Sequence, residues 1–284
     1  SAASDVYKRQ VIGEYAFLGC SSLASIDLPD SLTVIGNRAF EGCSSLASID
    51  LPDSLTEIGE SAFYGCSSLA SVDLPDSLTM IGNSAFGDCS SLASITIPGS
   101  VLFMGYNCFG SCDNLREARF EHSDNNKTLS TSNFCFPESV EYLYLDREFS
   151  DAVTFKGGKE LIIGSHISNV CVSTDNIETI ITCLSPNEPP VWDYSFSKSQ
   201  YMNLTVKVPI GSLEAYQQVI PWKYFWNLQE ADLSGVGVDV TAESDVTETG
   251  RYDLNGRPIT DGYEGIVIIR YSDGSARKVI SAKR

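Results

Sequence analysis

Histidine is scarce in this chain. Its 284 residues include 2 His, 3 Trp and 3 Met, and 19 Lys and Arg stand against 37 Asp and Glu, for a formal net charge of −18. The shortage of cations excludes a phosphate backbone as partner, which needs clustered Lys and Arg, and it disfavours an anionic membrane surface. Two His leave little scope for histidine-based metal or acid–base chemistry. No apolar run approaches the ~20 residues that span a bilayer. The nine Cys contain no C-x-x-C pair, and Lys156-Gly157-Gly158-Lys159 is a turn rather than a phosphate-binding loop. His122 and His166 lie in irregular segments without a nucleophile motif, and no carboxylate pair is marked out for acid–base work. The expectation is a chain that is not an enzyme, with no catalytic residue, no metal ligand set and no cofactor.

What is present is a repeat. From Ile12, units of 23 residues follow one another at 12–34, 35–57, 58–80 and 81–103, and a weaker fifth starts at Met104; the first two units agree at 19 of 23 positions. A period of this size predicts a solenoid. In the second unit the apolar or Cys positions are Ile35, Phe40, Cys43, Leu46, Ile49, Leu51 and Leu55. The spacing predicts a strand in which Ile49 and Leu51 point inward while Ser48 and Asp50 point out, ended by Pro52. A second extended stretch is expected over 55–58, a tight corner at Gly59, and a helical turn over 61–63 that inserts Phe63 into the core. One coil cannot bury its apolar face alone, so stacked coils bury it against each other.

The pattern IGxxAFxGCSSLxSIxLPxSLT resembles the BspA-like leucine-rich repeat family of bacterial, and some protist, surface proteins. The resemblance implies a β-rich leucine-rich-repeat solenoid of short parallel strands with helical turns. It further implies adhesion to host proteins, matrix or other microbes from an extracellular or outer-membrane position. Residues 1–10 (SAASDVYKRQ) share nothing with the repeat. DVYKRQ resembles the translation of a sequencing adapter, so this segment reads as non-native, with the true N-terminus and any signal peptide upstream.

Beyond the regular repeats of 11–120, residues 121–232 read as degenerate repeats with strands near 140–145, 161–163, 170–172 and 177–181. They end in an aromatic cap, where Ser212 is expected to cap a helix carrying Leu213, Ala215 and Tyr216. Residues 233–249 read as a linker. Residues 250–284 read as a small all-β module, with hairpin turns at Asn255-Gly256 and 272–274. The string GRYDLNGRPI followed by GIVIIRYSDGSARKVI resembles the C-terminal sorting module of secreted Bacteroidota proteins, which implies type IX secretion or surface attachment. The charge divides along the same boundaries, with −17 over 1–235 and −1 over 236–284.

Three constellations carry a functional reading. Cys20, Cys43, Cys66, Cys89 and Cys112 share one repeat position. Neighbours there have parallel Cβ vectors ~4.8 Å apart, which suits buried thiols better than disulfides. Asp27, Asp50 and Asp73 stack on the outer face, continued by Thr96 and Arg119. That ladder is either a solvated acidic face or a surface for a ligand or Ca²⁺. With Ser25, Ser48, Ser71 and Glu117 it forms the candidate binding surface, whose charge predicts basic partners and salt-sensitive association. Asp-Ser-Leu recurs at 30–32, 53–55 and 76–78. It resembles a Bacteroidota O-glycosylation sequon on Ser31, Ser54 and Ser77, and it also serves as a turn before an inward Leu. Trp192, Trp222 and Trp226 cluster in the closing unit, where they either cover the open core or offer a platform to glycans. The leading expectation is adhesion or protein–protein interaction. The alternative is a carbohydrate-binding accessory protein of a glycan-utilisation system.

Overall fold

In a computed structural model the described residues are 10–123, 127–131, 136–156, 158–174, 176–192 and 196–236, with the backbone alone of 248–252, 265–271 and 276–281. The segment before Gln10 and the Asn255-Gly256 turn lie outside them. The chain divides into two compact units, Ser1–Leu233 and Ser234–Arg284.

The first unit is a parallel β-solenoid of about nine turns. One wall is a six-stranded parallel sheet: Gln10–Ile12, Leu32–Ile35, Glu57–Ile58, Met80–Ile81, Phe103–Met104 and Ser130–Thr131, in that order. These are the extended stretches anticipated at 55–58 and its equivalents. The second wall is a seven-stranded parallel sheet of Ser94–Ile97, Glu117–Phe120, Tyr142–Leu145, Glu160–Ile163, Ile180–Cys183, Thr205–Pro209 and Asn227–Ala231. In the second unit, Glu248–Tyr252, Gly265–Tyr271 and Ala276–Ser281 pair antiparallel as three strands, with Gly265–Tyr271 central.

The second wall corrects one expectation. The segments holding Ser25 to Asp27, Ser48 to Asp50 and Ser71 to Asp73 are not strands. Proline explains why. Glu121 N donates to Ile97 O at 3.0 Å across one coil boundary. The equivalent positions one, two and three coils earlier are Pro98, Pro75 and Pro52, which have no N–H to give to Leu74, Leu51 and Leu28. The sheet therefore begins at Ser94–Ile97, whose outer neighbour is only the following coil. Before it, the coils keep a sparser contact at this wall: Ala47 N to Ala24 O at 3.5 Å and Ala70 N to Ala47 O at 3.3 Å. Alternation survives in weakened form. Ile49 is buried and Leu51 half-buried, whereas Ile95 and Ile97, on the paired strand, are both buried.

The expected helical turn over 61–63 is also corrected. Ser61, like Arg38 and Ser84 at the same repeat position, has positive φ, which a right-handed helix does not allow. What replaces the helix is a ladder between coils: Arg38 N to Glu60 O at 2.8 Å, Phe40 N to Ala62 O at 2.8 Å and Gly42 N to Tyr64 O at 2.7 Å. It sets the rings of Phe17, Phe40, Phe63 and Phe86 in one stack, with centroids 5.0, 5.3 and 5.3 Å apart and planes within 8°. The corner at Gly59 is tight because the coils touch there. A Cβ would lie 2.7 Å from Asn37 N, a distance real Cβ atoms do not reach.

Cys43, Cys66, Cys89 and Cys112 are buried, and each thiol points at the carbonyl of a Phe 26 residues earlier, at 3.1 to 3.3 Å. Cys20, on the first coil, is exposed. Burial pushes the Cys66 and Cys112 thiols up to about 12, and that of Cys89 higher still.

The expected N-cap role of Ser212 moves to another residue. The Ser212 hydroxyl donates to Pro209 O at 2.6 Å, and Glu230 Oε1 accepts from Gly211 N at 2.9 Å and Leu213 N at 3.1 Å. A carboxylate from the last strand thus closes the start of helix Leu213–Gln218. Beneath it, the Trp222 indole donates to Pro190 O at 2.7 Å and that of Trp192 to Val172 O at 3.0 Å. Both rings are buried in the cap, whereas Trp226 is 73% exposed.

Two predictions follow from this packing. Phe63→Ala, in the middle of the ring stack, should cost about 3–5 kcal/mol in chemical denaturation, while Tyr64→Ala at the exposed neighbour should cost little. The thiol pKa values are raised on folding, so the folded state keeps protons that the unfolded chain releases. That stabilisation is complete below the ordinary thiol value of 9.0 and is lost as pH rises toward about 12. Thermal midpoints measured across that range should therefore fall, and should fall less steeply in a Cys66→Ala/Cys112→Ala variant.

Candidate binding face

The second wall presents two outward rows. One runs Ser94, Glu117, Tyr142, Glu160, Ile180, Thr205 and Asn227; the other runs Thr96, Arg119, Tyr144, Ile162, Thr182, Lys207 and Gln229, and within it Thr182 is buried. Each step along a row is a backbone-paired rung, so the side chains are held at strand spacing by the sheet beneath them. The inward partners, among them Ile95, Ala118, Leu143, Leu161, Ile181 and Val206, are buried.

The sequence-predicted residues divide into two groups. Ser25, Asp27, Ser48, Asp50, Ser71 and Asp73 are exposed on the three early coils, off the sheet. Thr96, Glu117 and Arg119 stand on it, beside partners that the sequence reading did not assign. The Arg119 guanidinium lies over the Tyr144 ring, 3.9 Å from its centroid, and Tyr142, paired with Glu117, is 41% exposed. Lys159 reaches Glu141 at 2.6 Å. The hydrogen bond between them holds Glu141 below and Lys159 above its ordinary value. The Thr182 hydroxyl donates to Glu160 Oε1 at 2.6 Å. The signal for the two tyrosines was available: in the string Val-Glu-Tyr-Leu-Tyr-Leu, strict alternation turns both outward once the leucines turn in.

The acidic coils thus continue into a patch of Tyr and Arg. These residue types concentrate binding energy, because they carry large contact area and polar tips together.

The Asp-Ser-Leu serines act as struts between coils. The Ser54 hydroxyl lies 2.6 Å from both Asp30 O and Leu32 O, and Ser77 donates to Leu55 O at 2.6 Å. Ser31, on the first coil, is exposed.

Comparison with known protein families identifies the repeat. Residues 10–142 match six copies of the BspA type leucine rich repeat region. This stretch consists of BspA-type leucine-rich repeats. A leucine rich repeat protein of T. pallidum is similar at 33% identity over 55% of this chain and 67% of its own, with a TM-score of 0.44. A leucine-rich repeat protein from Bacteroides ovatus is 19% identical over 78% of this chain and 86% of its own, TM-score 0.29. A leucine rich cell surface protein from Faecalibacterium prausnitzii is 18% identical over 78% and 64%, TM-score 0.31. The comparison with curated proteins returns no match. Among the described residues no helix is long and apolar enough to cross a membrane.

The strut role of the serines is testable. Ser54→Ala removes a hydroxyl donor from a coil boundary and should cost about 0.5–1.5 kcal/mol in denaturant unfolding. Ser31→Ala, exposed on the first coil, should be near neutral.

Proposed function

We propose that this is a secreted or cell-surface binding protein that adheres to other proteins through the outward rows of its second wall and the acidic coils before them. The observation that carries the reading is the Arg119, Tyr142 and Tyr144 patch on rigid, paired strands. A pre-ordered array loses little side-chain entropy on association, so its contacts convert into affinity more fully than those of mobile loops. The acidic coils attract basic partners over a distance and set the encounter rate, and the Tyr and Arg patch slows release. Nothing in this mechanism calls for catalysis. A C-terminal sorting role for residues 250–284 belongs to the same reading, since a surface adhesin must be exported and retained.

Exposed Trp226 supports a second reading. With Tyr224, 48% exposed beside it, Trp226 offers an aromatic platform on which a sugar ring can stack. Trp192 and Trp222 are committed to the cap and supply none of that platform.

The test is surface plasmon resonance of the whole chain against immobilised matrix and microbial surface proteins, with glycans as a parallel panel. The protein-binding reading expects affinity to fall with salt, Tyr142→Ala and Arg119→Ala to weaken binding at least tenfold by faster release, and Asp27→Ala/Asp50→Ala/Asp73→Ala mainly to slow association. Binding that is indifferent to salt and to all these variants would refute it. Loss on Trp226→Ala with retention in Tyr142→Ala would transfer the function to the glycan platform.

A further inference from the structure

The chain's only two histidines lie in different coils, at positions 122 and 166, and the sequence reading assigned them no ligand role. The fold brings them together. Phe120, Leu145 and Ile163 share one rung of the seven-stranded sheet. Just past that rung the three strands release His122, Asp146 and His166 on the same side of the wall. The imidazoles of His122 and His166 stack with centroids 3.9 Å apart and planes 28° apart. Asp146 Oδ2 lies 2.9 Å from His166 Nδ1, and Asp146 Oδ1 accepts from His166 N at 3.1 Å.

We propose that His122, Asp146 and His166 bind one divalent transition-metal ion, of which Zn²⁺ is the natural probe. Each residue has a ligand atom within 4.8 Å of those of the other two. Metal–ligand bonds of about 2.0–2.1 Å in a tetrahedral site put ligand atoms ~3.3 Å apart. The Asp146–His166 pair is already near that separation. The widest gap closes by rotating imidazoles that are not walled in, since His122 is half-buried and the His166 side chain is 51% exposed. Two imidazoles and one carboxylate suit zinc and its borderline neighbours, with coordination positions left over.

Three further features mark the place as built. Asp146 is only 8% exposed, and its backbone N donates to Phe120 O at 2.9 Å, so the carboxylate starts from a fixed point. The following coil carries Gly164 against it, and any Cβ there would overlap Asp146 Oδ1. A solvent-reaching hollow adjoins the cluster, lined also by Ser123, Lys127, Glu148 and Ser168, which leaves room for water on the open positions.

The neighbouring charges permit a cation. Arg147 and Lys127 flank the hollow, but the Arg147 guanidinium is aimed elsewhere, at Pro98 O, Gly99 O and Lys127 O, 3.1 to 3.3 Å away. Against these two positive groups stand Asp146 itself, Glu148 in the hollow, and Asp76 and Glu121, which line a second hollow that shares His122, Ser123 and Lys127 with the first. The balance is two negative charges before the metal arrives. Glu148 Oε1 is occupied by Ser168 and by Asn169 N, so it serves as a fixed charge near the site rather than a further ligand.

The experiment is titration of the whole chain, in a Cys20→Ser background, with Zn²⁺ by calorimetry and with Co²⁺ by visible absorption. One ion per chain is expected, with cobalt d–d bands and no thiolate-to-metal charge transfer. His122→Ala and His166→Ala are each expected to lower affinity at least tenfold, because even outer-shell partners of metal ligands are worth that much. Zn²⁺ should raise the thermal midpoint of the parent and not of these variants. Both substitutions fall on side chains that solvent reaches, and circular dichroism of the apo variants verifies that the solenoid is intact. Absence of binding by the parent, unchanged affinity in His122→Ala, or a thiolate charge-transfer band would each overturn the proposal.

Discussion

The core side chains of this solenoid are buried by neighbouring coils rather than by their own. That single constraint organises the rest. It requires adjacent coils to approach within hydrogen-bonding distance over long stretches, and the backbone answers with ladders between coils at Phe40 N to Ala62 O and Gly59 N to Ile35 O. Buried amides must be paired, and here the pairing and the apolar packing reinforce each other. The phenyl stack is the side-chain image of those ladders. Rings at one repeat position are translated copies, so they meet nearly parallel and offset, an arrangement favourable to their quadrupoles.

The same translation explains what the repeated residues cannot do. Cysteines repeated at one position have parallel Cβ vectors and meet main-chain carbonyls instead of each other, which is why each thiol points back to a Phe carbonyl. A proline at one position removes one rung at every boundary it repeats through, so the Pro-bearing coils lose strand pairing on one wall and keep it on the other. The sheet that carries the candidate binding face begins where the prolines stop.

The solenoid was legible in the sequence because translation symmetry is written directly as a 23-residue period. Inward positions such as Phe40, Cys43 and Leu46 could be read for the same reason. The turn at Ser61 could not, because a positive φ at a serine leaves no mark in composition when glycine is the usual signal. The second half was harder. Its rungs fall at steps of 25, 18, 20, 25 and 22 residues from Glu117 onward, so no fixed period locates them, and only local alternation survives. Tyr142 and Tyr144 were readable from that alternation. The meeting of His122, Asp146 and His166 was not, since it depends on how far beyond each strand end the chain runs before turning.

Irregularity is also the condition for chemistry here. In the regular coils most outward residues face copies of themselves, so charge meets like charge, as at Asp27, Asp50 and Asp73, and unlike neighbours meet only at the few positions that vary, as where Asn37 donates to Glu14. Attraction between neighbouring coils requires that they differ. Arg119 over Tyr144, Lys159 against Glu141 and Asp146 beside His166 all arise beyond residue 116, once the repeat has diverged. The ring contacts change at the same boundary, from the parallel stack that ends at Phe109 to the edge-to-face contacts of Phe120 with Phe136 and Phe149. Symmetry gives the first half its stiffness and its uniform charge. Departure from symmetry, on the same backbone ladder, lets the second half place unlike groups side by side, and recognition of anything other than another copy of itself depends on that.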